Sequence, residues 1–165
     1  MLRVDVGMFN RNQVDSKKYS LAAPIPGLEV MGENMPFVGP VSAELLVTGS
    51  EDSITVEGLI TGRLGMRCVR CLETYEYSFS VPFREIYSRK PSGETGEEIP
   101  FSGDFIDLDP EIQTAIILTL PMKPLCREDC QGLCPTCGCD LNNSQCACVK
   151  DEIDPRFSVL QDFFK

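Results

Sequence analysis

The sequence predicts an α+β fold: an antiparallel, β-rich body with a hairpin whose tip carries two cysteines, one or two short helices, and a C-terminal cysteine-rich module. Three observations predict this fold. Apolar and polar residues alternate over long segments, which is typical of half-buried strands. A helix-start signal stands at Asp109-Pro110-Glu111, and a similar one stands at Asp154-Pro155. The nine cysteines fall mostly in closely spaced pairs.

The first forty residues are predicted to contain one strand. In residues 1–9, Leu2, Val4 and Val6 alternate with polar or small residues, which indicates a strand with one apolar face. Residues 20–40 contain four prolines and three glycines. Because these residues interrupt regular structure, this segment is predicted to be a loop or an irregular crossover.

An antiparallel meander is predicted to follow. Residues 41–48 form one strand, residues 49–53 a turn, and residues 54–68 a long strand whose internal glycines suggest bulges or sharp coiling. The clearest alternation in the chain follows in residues 75–83. The segment Cys68-Val69-Arg70-Cys71 lies between the two long strands, so we expect it at the tip of a hairpin.

A polar segment and a helix are predicted next. Residues 89–100 are expected to be a flexible linker, and residues 105–108 a short strand. The helix runs from Asp109, as N-cap, to Leu120, and Pro121 ends it. A buried strand over residues 115–120 is the alternative. The helix is expected to bury one stripe of side chains: Ile112, Ala115, Ile116 and Leu120.

Two units are predicted along the chain. Residues 1–125 form the β-rich body, which includes the first cysteine pair and the linker. Residues 126–165 form the cysteine-rich module and a C-terminal helix, packed on the body. This last helix begins at Asp154-Pro155 and would pack an apolar face on the body or offer it to a partner. The face comprises Phe157, Leu160, Phe163 and Phe164.

Composition limits the classes of function. Neither a signal peptide nor the roughly 18 apolar residues of a membrane span are found, so we expect a cytoplasmic protein without a membrane partner. The formal net charge is −10. Phosphate contacts drive non-specific nucleic-acid binding, so an acidic chain favours basic partners such as ribosomal proteins. Solubility alone is the simpler explanation of the charge.

The cysteines are predicted to bind metal rather than to form disulfides. Thiols stay reduced in the cytosol, and the odd count of nine also argues against a closed disulfide set. Cys134-Pro135-Thr136-Cys137-Gly138 is typical of a zinc knuckle, in which the glycine permits the backbone turn that brings amide N–H groups onto the sulfurs. Zinc is the expected ion, and two structural ions are expected.

Two ligand pairings are possible. In the first, one site uses Cys68, Cys71, Cys126 and Cys130. A second, local site then uses Cys134, Cys137, Cys146 and Cys148, and Cys139 is left over. The helix would return the chain so that residues 121–130 lie beside the hairpin tip. The alternative is a single local site of Cys126, Cys130, Cys134 and Cys137.

Catalysis is not expected. The chain has no histidine, so neither the usual general base nor a nucleophile activated by histidine is present. A four-cysteine zinc site is closed to substrate, and we expect no small-molecule substrate. An iron–sulfur cluster also takes four thiolates, but its usual spacings match this chain poorly.

Five basic residues flank the first predicted site in sequence: Arg63, Arg67, Arg70, Lys123 and Arg127. They could form a patch that contacts phosphate of RNA or another partner. Equally, they could offset the negative charge of a four-thiolate site and support its ligands. The sequence does not separate these two roles.

Several motifs together resemble one protein family. They are the Cys68–Cys71 knuckle entering an aromatic strand, the segment 109–121, the tail Gly132-Leu-Cys-Pro-Thr-Cys-Gly with Asp140-Leu-Asn-Asn, and Asp154-Pro-Arg. Over roughly residues 40–165 the chain resembles the YceD family, the large-subunit ribosomal RNA accumulation proteins of bacteria and plastids. Cys139 departs from the family pattern.

The resemblance implies a non-enzymatic role in 23S ribosomal RNA accumulation during large-subunit assembly, with bound metal. The partner would be a large-subunit precursor, through a basic ribosomal protein or through 23S RNA. A second hypothesis is a redox-switched, zinc-binding chaperone or thiol sensor, in which oxidation of the C-terminal cysteines releases zinc.

Overall fold

A computed structural model describes residues 1–9, 15–30, 32–50, 53–90 and 98–148. The central feature is a five-stranded sheet, accompanied by two two-stranded sheets and a helix. The fold class, α+β with antiparallel strands and a C-terminal cysteine cluster, is confirmed. The elements are β1 (Arg3–Asp5), β2 (Ser16–Ala23), β3 (Leu28–Val30), β4 (Glu33–Met35), β5 (Val41–Gly49), β6 (Ser53–Arg67), β7 (Thr74–Ser88), β8 (Glu98–Pro100), β9 (Phe105–Asp107) and α1 (Asp109–Thr119).

The five-stranded sheet has the order β2-β5-β6-β7-β8. The strands β5, β6 and β7 form the predicted antiparallel meander. The pairing of β6 with β7 runs without interruption from Ser53 opposite Ser88 to Arg67 opposite Thr74. Neither this ladder nor that of β5 and β6 contains the bulges that the glycines suggested. The glycines instead allow close packing: a Cβ atom at Gly62 would lie 2.6 Å from Cζ of Phe79.

One face of this sheet carries the core. Many alternate residues of β5, β6 and β7 are buried, while their neighbours on the other face are partly or fully exposed. The helix α1 packs against β7 and buries Ile112 and Ile116 completely. The strands β1 and β9 pair with each other, and Leu2, Val4 and Val6 are buried as predicted. This framework holds the β6–β7 hairpin, whose tip lies at residues 68–73.

The predicted loop over residues 20–40 is wrong in part. Its beginning belongs to β2, which pairs with β5 along its whole length, and β3 and β4 form a short hairpin inside it. The strand β2 has no fully buried side chain, because it lies at the edge of the sheet. It therefore lacks the apolar alternation by which the other strands were predicted.

Two predictions around the helix also need correction. Leu108, not Asp109, is the N-cap residue, and no side chain caps the helix. The Asp109 carboxylate instead accepts a hydrogen bond from the Leu2 backbone N–H at 2.7 Å, which ties the start of β1 to the helix. The last three residues of the predicted linker form β8, which pairs in parallel with β7.

The predicted C-terminal helix after Asp154 lies outside the described residues, as does the middle of the predicted linker, residues 91–97. Among the residues that the structure describes, no helix is both long enough and apolar enough to cross a membrane. The division into a body and a C-terminal module stays a prediction.

Candidate metal centre

The hairpin tip is a knuckle that brings two thiols together. The Leu72 N–H donates to the Cys68 carbonyl at 3.0 Å, and the Cys68 N–H donates to the Glu73 carbonyl at 2.9 Å. Leu72 adopts a φ of 63°, a left-handed conformation that costs a leucine roughly 1 kcal/mol. Both thiols are buried, with Cys68 fully shielded from solvent. The tight turn points them to one side, where an ion could bind.

The segment that follows α1 completes this group. The Val69 N–H donates to the Pro124 carbonyl at 2.9 Å, which holds the returning chain against the tip. The Sγ atoms of Cys68 and Cys130 are 3.8 Å apart, and those of Cys71 and Cys126 are 3.6 Å apart. All four Sγ atoms lie within 4.8 Å of one another. Four thiolates around a tetrahedral ion, each about 2.3 Å from it, would be about 3.8 Å apart.

Hydrogen bonds and burial shift the pKa values of Cys68 and Cys126 in opposite directions. Burial raises the pKa of Cys68, but the backbone N–H groups of Cys71, Cys126 and Arg70 outweigh burial and lower that pKa to about 6. Burial raises the pKa of Cys126 to about 12, and the neighbouring Cys71 thiol adds to the rise. A cysteine held as thiolate at neutral pH is a ready first ligand for a cation.

A second group lies in the C-terminal segment. The Sγ atoms of Cys134, Cys137, Cys139 and Cys146 all lie within 4.8 Å of one another. Cys139, the residue predicted to be left over, is thus among the grouped thiols. Cys148 also lies close, because its thiol interacts with those of Cys137, Cys134 and Cys146. The structure therefore brings five thiols together here, and the predicted ligand set of Cys134, Cys137, Cys146 and Cys148 stays a prediction.

The second group is built on a knuckle with the same hydrogen bonds as the first. The Gly138 N–H donates to the Cys134 carbonyl, and the Cys134 N–H donates to the Cys139 carbonyl, both at 2.8 Å. Gly138 takes the left-handed position with a φ of 75°. The backbone N–H groups of Cys137 and Thr136 lower the pKa of the Cys134 thiol to about 6. This is the amide-to-sulfur arrangement that the sequence predicted.

Four of the five cations that flank the first group in sequence have partners within the chain. Arg63 pairs with Glu76 at 2.8 Å on the exposed face of the sheet. Arg67 donates to the Leu72 carbonyl of the knuckle at 3.1 Å. Lys123 is exposed beside Pro124. These contacts favour structural roles within the protein for Arg63 and Arg67, rather than contacts with a partner.

Arg70 and Arg127 connect the knuckle to the C-terminal segment. The Arg70 guanidinium donates to the Cys130 carbonyl at 2.7 Å, and the Arg70 carbonyl accepts from the Leu133 N–H at 3.1 Å. Arg127 donates to Oδ1 of Asn142 at 2.8 Å. Both arginines therefore hold the segment that supplies Cys126 and Cys130.

Asn142 is a residue of the site that the sequence did not single out. Its Nδ2 atom is 3.5 Å from Sγ of Cys130, and its Oδ1 atom accepts from the Gln131 N–H at 2.7 Å. An amide that donates to a ligand sulfur orients that ligand and lowers its charge density. The signal that could have found it is Asp140-Leu-Asn-Asn directly after the second knuckle, where short polar residues favour local turns.

Both groups fit a metal ion by the chemistry of their donors. Each offers at least four thiols, and the cysteines of the described residues are free rather than joined in disulfides. Four soft sulfur donors within 4.8 Å of one another suit a single ion such as zinc, and four such ligands would fill its tetrahedral coordination. The donors of both groups are therefore consistent with metal binding.

Comparison with known proteins identifies the family. The family profile described as "Large ribosomal RNA subunit accumulation protein YceD" matches residues 56–164, which include both cysteine groups. The chain belongs to the YceD family. The resemblance seen in the motifs is thereby confirmed. No solved structure matches the chain.

The relatives of this YceD-family chain come from bacteria and plants. The uncharacterized protein Rv2926c of Mycobacterium tuberculosis is 34% identical over 122 residues, or 71% of this chain and 58% of that protein. YlbN of Bacillus subtilis is 24% identical over 131 residues, which cover 78% and 76% of the two chains. "Large ribosomal RNA subunit accumulation protein YCED homolog 1, chloroplastic" of Arabidopsis thaliana is 21% identical over 152 residues, 73% and 47% of the two chains. The chain thus spans little more than half the length of the mycobacterial relative.

Proposed function

We propose that this protein is a non-enzymatic factor for the accumulation of large-subunit ribosomal RNA. The observation that carries the proposal is the family match over residues 56–164, which spans the knuckle, the helix and both cysteine groups. Relatives in Arabidopsis thaliana and Zea mays bear the name of large ribosomal RNA subunit accumulation proteins. We place the action in large-subunit assembly, in the cytoplasm.

Zinc is the proposed ion of both groups, and its role is structural. Each group includes four thiols within 4.8 Å of one another, and the amide N–H groups aimed at Cys68 and Cys134 resemble the supports of a zinc knuckle. The first ion would join the hairpin tip to the chain after α1. Ligands from residues 68 and 130 would then be fixed together, so binding free energy would add directly to folding free energy.

The proposed partner is a basic ribosomal protein of a large-subunit precursor. Two properties of the chain support a protein contact over an RNA contact. The net charge of −10 repels phosphate. Arg63, Arg70 and Arg127 already bind groups within the chain. Phosphate binding by Arg70 or Arg127 would compete with contacts to the segment that supplies Cys126 and Cys130.

Sedimentation through a sucrose gradient tests the proposal. A tagged copy of the full chain, expressed at its native level, should migrate with particles lighter than the mature large subunit and together with precursor ribosomal RNA. Chemical crosslinks within those fractions should survive ribonuclease digestion, because they join protein to protein.

The variant Lys123→Gln is the matched control for the RNA alternative, since Lys123 is an exposed cation beside the first group. Co-migration should be unchanged in this variant. Loss of co-migration, or crosslinks that ribonuclease removes, would favour RNA as the contact. A protein found only at the top of the gradient, at low and high salt alike, would contradict the proposed role, and peroxide-induced chaperone activity would then test the redox-switch hypothesis.

A further inference from the structure

The second cysteine group holds more thiols than one ion can use. Four Sγ atoms, those of Cys134, Cys137, Cys139 and Cys146, lie within 4.8 Å of one another, and the Cys148 thiol interacts with three of these residues. A structural zinc site takes four ligands. The first group, in contrast, has four thiols for four positions. In the second group, one of the five thiols would therefore not bind the ion.

The knuckle geometry explains why Cys139 reaches the site. In both knuckles the first cysteine donates its N–H to the carbonyl of the residue five positions later, which is Glu73 in the first knuckle and Cys139 in the second. The Glu73 side chain turns toward the metal position, with Oε2 at 4.0 Å from Sγ of Cys71. The equivalent position in the second knuckle carries a thiol, which interacts with that of Cys137.

Cys148 also approaches the second group. Its thiol contacts that of Cys137, and it follows Cys146 by two residues, so the two side chains can approach one ion together. Cys139 and Cys148 are both partly buried and both meet the Cys137 thiol. In this structure Cys139 is one of the four Sγ atoms within 4.8 Å of one another, and Cys148 interacts with the other three of those thiols, so both are candidates for the fourth ligand.

We infer that the second ion is held by Cys134, Cys137 and Cys146 together with either Cys139 or Cys148, and that these two thiols exchange in the fourth position. This inference rests on the proposed binding of zinc. At any moment one thiol stays free beside the bound ion. A free thiol next to a four-thiolate ion can replace one of the ligands, so this ion should leave the protein faster than the ion of the first group.

Metal content of the purified full chain tests the exchange. We expect two zinc ions per chain in the unaltered protein, and still two in Cys139→Ser and in Cys148→Ser, because the remaining thiol completes the site. The double variant Cys139→Ser/Cys148→Ser should hold one firmly bound ion after dialysis. Cys137→Ser is the matched control; it should also lose one ion, since both arrangements need this thiol.

Alkylation of the zinc-loaded protein gives a second readout. Brief treatment with iodoacetamide should modify one thiol per chain, and fragmentation of the tryptic peptide 128–150 should find the label divided between Cys139 and Cys148. A label confined to one of them would overturn the exchange and indicate a fixed ligand set. Loss of an ion in either single variant, or two firmly bound ions in the double variant, would also overturn it.

The failure of this inference can be told from the failure of the proposed zinc binding. An unaltered protein without zinc would refute both. An unaltered protein with two ions, of which one is lost in a single variant, would leave the structural role of zinc intact and refute the exchange alone.

Discussion

At the scale of single residues, glycine positions show how closely the C-terminal segment meets the hairpin tip. Gly132 has a φ of 74°, and a Cβ atom added there would lie 2.9 Å from the Arg70 carbonyl oxygen. The neighbouring Leu133 N–H donates to that same carbonyl. Gly132 is therefore needed both for its backbone conformation and for the contact that places Cys130 and Cys134 beside the tip.

The variant Gly132→Ala is expected to destabilise the zinc-loaded protein by about 2–3 kcal/mol. Roughly 1 kcal/mol comes from the left-handed backbone, and the rest from the collision with the Arg70 carbonyl. For a chain of this size we expect a melting temperature lower by about 4–10 °C, measured by thermal unfolding.

Gly103→Ala is the matched control for Gly132→Ala. Gly103 has a φ of 87°, but a Cβ atom there would meet nothing within 4 Å. The variant Gly103→Ala should therefore lose roughly 1 kcal/mol from the left-handed backbone, with no steric clash. Equal losses of stability in the two variants would contradict the close contact between Gly132 and Arg70.

For the cations that flank the first group in sequence, the sequence pattern alone did not determine which groups they bind. Arg63, Arg70 and Arg127 were predicted as candidate partner contacts, yet each has a partner inside the chain. The sequence shows that these cations lie close to the cysteines along the chain. It does not show which acceptors they bind. The acceptor of Arg70, the Cys130 carbonyl, lies 60 positions away in sequence, and those of Arg63 and Arg127 lie 13 and 15 positions away.

At the scale of elements, the β6–β7 hairpin carries the knuckle, and its alternating pattern predicted it well. Its glycines have a role that the sequence did not reveal. A Cβ atom at Gly58 would overlap the carbonyl oxygen of Glu44 on β5, whereas one at Gly65 would lie 3.4 Å from Cγ of Pro36. Gly58 thus allows β5 and β6 to approach closely where the pairing places it opposite Leu45.

The variant Gly58→Ala is expected to lower the free energy of unfolding by about 2–3 kcal/mol, because the backbone of β5 would have to move. Chemical denaturation of the zinc-loaded protein measures this. Gly65→Ala, on the same strand, should change stability by less than about 1 kcal/mol, since its new methyl group makes an ordinary contact. Similar values for the two variants would show that β5 does not approach Gly58 as described.

The elements that the sequence missed share one physical property. Strand β2 has no fully buried side chain, and β3 and β4 are only three residues long each. An edge strand is held by backbone hydrogen bonds to its single neighbour and needs no apolar alternation. Prolines and glycines nearby made the same residues resemble a loop.

At the scale of the whole molecule, the first cysteine group joins parts of the chain that lie far apart in sequence. Cys68 and Cys130 are separated by 62 positions, yet their sulfurs are 3.8 Å apart. The sheet sets the position of the hairpin tip, and α1, packed on β7, returns the chain to it. An ion bound here would fasten the hairpin tip to the segment that follows the helix.

The variant Cys68→Ser is expected to lose one of two zinc ions and at least about 3 kcal/mol of stability, since structural zinc contributes a large binding free energy to folding. Metal analysis and thermal unfolding measure the two effects. Val69→Ser changes an exposed residue of the same knuckle and should keep both ions.

A chelator separates the loss of metal from the loss of a buried side chain in Cys68→Ser. Once zinc is removed from both proteins, the unaltered chain and the variant should unfold at nearly the same temperature. A variant that keeps two ions and the melting temperature of the unaltered chain would show that Cys68 is no ligand.

The sequence by itself determined the fold class, the meander, the hairpin with its cysteine tip, the helix and the family. These features depend on local periodicity, on turn residues and on closely spaced motifs, and each of these signals comes from residues that are close together in sequence. Tertiary structure alone decided which thiols come together, that Cys139 is among them, and that the arginines bind within the chain. Those outcomes depend on how the sheet and α1 bring distant segments into contact, and no local pattern encodes a distance between residues 60 positions apart.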